Sequence, residues 1–161
     1  DKVRGPMNNG GQYGERAGWY LPGFDDAGWQ KVAVPAANTP AGTSWYRTEF
    51  SLDAPKGHDL TLGLSFGDTS TVRSAGNYRV LIFVNGWNMG QFIADVGPQR
   101  TFVIPTGILN PNGKNTLALA VTSDGKQGDA LEAVRLVNMR TARSPLKVEM
   151  VKSPAFKEVM R

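Results

Sequence analysis

Apolar and polar residues alternate in short bursts along most of the chain, and a period of two marks strands with one face buried. The bursts are 45-WYRTEFSL-52, 59-DLTLGLSF-66, 78-YRVLIFVN-85, 100-RTFVIP-105, 115-NTLALAVT-122, 131-LEAVRLVN-138 and 146-LKVEMVK-152, with QFIADV over 91–96 as an eighth strand. No segment carries a sustained i, i+3, i+4, i+7 stripe, the signature of an amphipathic helix. The pattern predicts an all-β chain, an antiparallel β-sandwich of jelly-roll type.

Two bursts can be read face by face. In 45-WYRTEF-50, Tyr46 and Phe50 fall on one side and Trp45, Arg47 and Glu49 on the other, which places an Arg-Glu pair over a sheet. In 80-VLIFVNG-86 both faces are apolar until the Asn-Gly end, as in a strand buried on both sides that stops at a hairpin. Turn chemistry fills the gaps: 53-DAPKG-57, 85-NGWNMG-90, 110-NPNGKN-115 and 123-SDGKQGD-129 supply Gly, Pro, Asn and Asp where a positive or fixed φ is needed. Residues 1–31 lack alternation but carry Trp19, Tyr20, Leu21, Phe24 and Trp29, too much apolar surface to stay free in water. They are expected to form an ordered loop wrapping a single sandwich, with the strands in 32–152 and a tail over 153–161.

Composition narrows the class further. The 161 residues allow one sizeable core, and 19 Gly and 10 Pro are scattered rather than gathered in a linker, as many turns between short strands require. The absence of Cys excludes disulfides and zinc-thiolate sites within the chain. The net charge is +4, but the basic residues are dispersed, so a solvated surface is expected rather than a nucleic-acid patch. No apolar run reaches about 18 residues, so no membrane partner is expected, and the start shows no signal peptide. A chain beginning at Asp1 reads as a processed product or an excised domain.

Catalytic constellations are missing. A hydrolytic carboxylate pair needs two Asp or Glu in distinct environments, yet Asp25, Asp26, Asp124, Asp129 and Glu132 sit in or beside turns, where Asp is favoured for local hydrogen bonding. The one His, His58, lies in a polar turn, and Gly-x-Ser-x-Gly does not occur. The loop 123-SDGKQGD-129 departs from calcium-loop spacing and 8-NNGGQYG-14 lacks the Lys-Ser/Thr ending of a phosphate loop, so no metal and no cofactor are expected; a structural calcium has no support. Aromatic rings and planar polar groups remain, and these are what sugar recognition uses: a ring stacks on a pyranose face while Asn, Gln and Arg bond its hydroxyls. Trp19, Tyr20, Trp29, Trp45 and Trp87 are the possible platforms, with Asn85, Asn88, Gln91, Arg47 and Arg100 beside them. The carbohydrate-binding set taken forward is Trp87, Asn88, Trp19, Tyr20, Arg47 and Arg100, with Trp87 foremost because turn formers flank it.

The series 26-DAGWQKVAVP-35, 45-WYRTEF-50, 80-VLIFVNGWNMGQF-92 and 97-GPQRTFVIPTGILNPNGKNTLALAV-121 resembles the jelly-roll, galactose-binding-like domains attached to glycoside hydrolases. The looser elements also look like the sugar-binding domain of family 2 glycosidases. The tighter ones, 4-RGPMNNGGQYGERAGWY-20, 97-GPQ-99 and 104-IPTGILNPNGKN-115, are more similar to the C-terminal jelly-roll domains of β-galactosidases of glycoside hydrolase family 35. In such enzymes the catalytic Glu pair belongs to a barrel of roughly 250 residues, which this chain is too short to contain. The resemblance therefore implies a non-catalytic accessory domain of a β-galactosidase-like enzyme, extracellular or periplasmic. Its partners would be galactose-containing oligo- or polysaccharides and the other domains of the parent hydrolase. Carbohydrate binding is one implied role; the other is purely architectural, packing against the catalytic barrel.

Overall fold

The computed structural model describes residues 11–36, 39–74, 76–126 and 131–144. The strand expected at 146–152 and the tail at 153–161 lie outside the described residues, as do residues 1–10 and Asp129.

Seven strands carry the described fold: β1 Gly42–Asp53, β2 His58–Phe66, β3 Tyr78–Val84, β4 Trp87–Ile93, β5 Thr101–Ile104, β6 Asn112–Ser123 and β7 Val134–Arg143. They form two antiparallel sheets, one of four strands in the order β1-β6-β3-β4 and one of three in the order β5-β2-β7. The chain is an all-β sandwich, as the alternation implied. Among the described residues, helix is limited to one short turn, α1 Tyr13–Arg16, and a 3₁₀ turn at Thr106–Ile108.

Several boundaries differ from the pattern's suggestion. β1 and β6 are both 12 residues long because their register runs unbroken from Gly42↔Ser123 to Asp53↔Asn112, which draws Asn112 and Gly113 into the strand. β4 begins at Trp87 rather than at 91, since the β3–β4 turn is only Asn85-Gly86, both with positive φ (49° and 85°). Two such residues make the tight hairpin turn whose twist matches the strands. β7 starts at 134 rather than 131, and a bulge opposite Thr61/Leu62 carries it on to Arg143.

The core lies between the sheets and follows from the alternation. Leu62, Leu64 and Phe66 of β2 meet Val80, Ile82 and Val84 of β3, Phe92 of β4 and Leu117, Leu119 and Val121 of β6. Phe66 stacks on Phe92 at 4.6 Å between centroids, and Phe102 meets both rings edge-on. Each fully buried side chain of this kind contributes about 1.5–3 kcal/mol of transfer free energy.

β3 is apolar on both faces because it is covered on both. Its outward residues Leu81 and Phe83 join Ala118 and Ala120 of β6 in a second, smaller cluster, against which Trp45 of β1 and Tyr20 pack. The cover is supplied by residues 11–29. Trp19 touches Tyr13, Trp29 and Trp45, each ring edge-on at 5.5–5.9 Å, and Tyr20 lies 4.7 Å from Phe83. The outer face of the larger sheet is thus lidded by the chain itself.

Candidate functional site

The six expected sugar-binding residues fall in three separate places. Trp19, Tyr20 and Arg47 lie under or within the lid, Trp87 and Asn88 stand at the β3–β4 hairpin, and Arg100 is buried beside β5.

Arg47 is an anchor for the lid. Its side chain is 5% exposed; its Nε donates to Asp26 Oδ2 at 3.0 Å, its Nη1 donates to the Trp19 carbonyl, and its guanidinium lies over the Phe24 ring at 5.4 Å. The Arg-Glu pair expected within 45-WYRTEF-50 does not form. Glu49 is instead bonded by Lys114 Nζ at 3.0 Å from the neighbouring strand, while Arg47 turns to the segment laid over it. With Trp19 and Tyr20 packed ring to ring, these three residues are occupied in holding residues 11–29 to the sheet.

Arg100 closes a polar knot. Nε donates to Thr71 O at 2.8 Å, Nη1 to Phe66 O at 3.3 Å and Nη2 to Ser74 Oγ at 3.0 Å, while Nη1 also stands 3.5 Å from Glu132 Oε2. The same Glu132 oxygen accepts from Tyr78 OH at 2.7 Å and from Ser74 Oγ. Arg100 is 4% exposed, so its donors are spent on the protein rather than offered to a ligand. Burial, reinforced by the bond to Glu132, pushes the Tyr78 phenol well above its ordinary range. Nearby, the hydroxyl and the N–H of Ser70 both donate to Asp68 Oδ1 and hold that carboxyl below its ordinary value.

Trp87 and Asn88 remain at the surface. Trp87 pairs with Val84 at the end of the sheet and is 50% exposed. Asn88 Oδ1 accepts from Gly90 N at 2.8 Å, fixing the bulge around Met89, where Gly90 takes φ 109°. Asn85 is structural: Nδ2 donates to Ile108 O (2.7 Å) and Asn115 Oδ1 (2.8 Å), and Oδ1 accepts from Thr116 N (2.8 Å). A Cβ on Gly86 would lie 3.4 Å from Leu21 and Pro22, so the hairpin tip touches the lid.

Among the described residues no group of three His, Asp or Glu stands together as a metal site would need. His58 Nδ1 faces the Lys56 carbonyl at 3.1 Å, and Asp25 and Asp124 bond nearby backbone N–H groups. No helix of the described chain is long and apolar enough to cross a membrane.

One sheet backed by its own lid, with Trp19, Tyr20, Arg47 and Arg100 held in packing and Trp87 and Asn88 left at the surface, gives an all-β module. The chain belongs to the family described as the β-galactosidase second all-beta domain, which matches residues 13–127. It is 36% identical over 157 residues to β-galactosidase A of Penicillium sp., covering 97% of this chain and 15% of that protein. It is 38% identical over 161 residues to probable β-galactosidase A of Neosartorya fischeri, with 98% and 15% covered. This chain therefore spans about 15% of the length of such relatives. Its fold is also similar to part of a β-glucuronidase from Ruminococcus gnavus, with a TM-score of 0.50 and 21% identity over 68% of this chain and 18% of that one.

Proposed function

We propose that the chain is an architectural module of a larger β-galactosidase-type hydrolase, holding neighbouring parts of the same polypeptide with the outer face of its three-stranded sheet. The observation that carries this reading is an asymmetry. The larger sheet's outer face is lidded by residues 11–29, whereas on the smaller sheet Val103 is 52% and Met139 50% exposed. Val103 and Val137 both pair with Gly63, and Met139 Sδ lies 2.8 Å from where a Gly63 Cβ would stand, so these apolar groups form one patch. Such patches mark interfaces. The occupant is another domain of the parent chain, since relatives carry most of their length outside the matched region. The same reading makes the domain non-catalytic and places it outside the cytoplasm, where galactose-containing polymers are met.

Sedimentation of the 161-residue chain tests the patch. Concentration-dependent self-association that the double variant Val103→Glu, Met139→Glu abolishes is the expected result; a wild-type chain that stays monomeric at high concentration counts against the proposal.

A second reading has its own observation. Trp87 is half exposed at the hairpin tip, and no ring among the described residues packs on it, as a platform for a galactoside ring requires. Calorimetry or a glycan array with galactosides should then show binding that Trp87→Ala removes. Binding to no glycan at millimolar concentration would leave the architectural role alone.

A further inference from the structure

The motif 26-DAGWQKVAVP-35 is only half used by the fold. Its first half enters the lid: the Trp29 N–H donates to the Asp26 carbonyl at 2.9 Å, and the Trp29 ring meets Trp19 and Phe24 edge-on. Beyond it, residues 30–35 are exposed without a break, with Val32 at 54% and Val34 at 40%. The chain returns to the body at Ala36, whose N–H donates to the Leu131 carbonyl at 3.0 Å and which packs against the core. Between these two anchors, no hydrogen bond among the described residues engages residues 30–35. Four consecutive exposed apolar residues, Val32-Ala33-Val34-Pro35, are out of place on a water-facing surface unless they serve a contact. A stretch free at one end could fold its valines away; this one is tied at both ends and keeps them out.

We propose that residues 30–35 are a second docking element, which pairs as an added strand with an open β-sheet edge in another domain of the parent hydrolase. The inference rests on the reading that the chain is a module of a larger protein. The local chemistry suits a strand. Val32 and Val34 are β-branched and alternate with Lys31 and Ala33, and Pro35 keeps Val34 out of the helical region. The N–H and C=O groups from Lys31 to Val34 have no partner among the described residues, and strand addition uses such groups. A sugar would find no aromatic ring in the run, and an anion only Lys31. A second copy of the chain competes at its bulk concentration, whereas a domain on the same polypeptide stands at an effective concentration that is roughly millimolar. The run lies inside the family match of residues 13–127, so it belongs to the module rather than to a linker. Relatives of which the match covers only 15% leave ample chain to supply the edge.

The test is hydrogen exchange read by mass spectrometry, on the 161-residue chain and on the full-length parent protein. The amides of Lys31 to Val34 should exchange freely in the isolated chain and at least about tenfold more slowly in the full-length protein. Val32→Lys with Val34→Lys should leave the unfolding midpoint of the isolated chain unchanged, because both sites are exposed. The same pair should restore fast exchange to the run in the full-length protein. Equal exchange rates in the two settings overturn the proposal, as does protection already present in the isolated chain, or self-association of that chain that the lysine pair abolishes. The wider reading fails separately. If the chain docks on no neighbour, neither the lysine pair nor Val103→Glu with Met139→Glu changes the melting temperature of the full-length protein, whereas a response to the glutamate pair alone sinks only the added strand.

Discussion

Gly14 lies flat against the indole of Trp45: a Cβ built on it would stand 2.5 Å from Trp45 Nε1 and Cε2, and equally close to Trp19 Cε3. The first helical turn can reach the sheet only because this residue has no side chain. Gly14→Ala gains about 0.5–1 kcal/mol of helix preference, yet overpacking of this tightness costs typically 1–3 kcal/mol. The clash wins, because both obstructing groups are rigid rings. We expect a net loss of about 1–2 kcal/mol in denaturant unfolding, with tryptophan emission shifted to the red as the lid lifts.

Arg47 should be intolerant of Lys. A guanidinium reaches Asp26, the Trp19 carbonyl and the Phe24 face at once, while an ammonium is a single point charge. Arg47→Lys is expected to cost about 2 kcal/mol and Arg47→Ala slightly more. Asp26→Asn should cost less, because Asp26 is 46% exposed and its charge is screened. Equilibrium unfolding of the three variants gives the order.

Asn85 combines a left-handed backbone with three side-chain bonds, so two substitutions separate the effects. Asn85→Ala loses the bonds and strains the backbone, for about 2–3 kcal/mol. Asn85→Gly loses only the bonds and should recover about 1 kcal/mol of that. Equal losses in the two variants would show that the turn conformation contributes nothing.

Tyr78 ties stability to alkaline pH. Its phenol pKa is raised in the fold, so its contribution is complete below the unfolded value of about 10 and is lost as pH climbs past it towards the folded value. The melting temperature of the wild type should therefore fall above about pH 10, and Tyr78→Phe should flatten that fall while lowering the plateau by about 1 kcal/mol. Phenolate absorbance should show Tyr78 titrating only with unfolding.

The sequence was legible where the information is local. Both faces of β3 could be assigned because the five residues Val80–Val84 are apolar in a row, and Asn85-Gly86 marked its own turn. What could not be read is partnership across the chain. Arg47 meets Asp26, 21 residues away, and Arg100 meets Glu132, 32 residues away. Either arginine looks like a free ligand group until the fold brings its carboxylate. Trp87 was seen as a turn residue because 85-NGWNMG-90 holds more turn formers than a two-residue hairpin uses.

Residues 11–29 are synthesised before any strand of the sheet they cover. Their platform needs Trp45 of β1, Phe83 of β3 and the alanines of β6, so it is incomplete until residue 120 has been made and paired. Long-range pairing of that kind is slow to form. The aromatic lid thus leaves the ribosome well before the last strand it docks on, and through that interval its tryptophans are a surface in need of protection from aggregation.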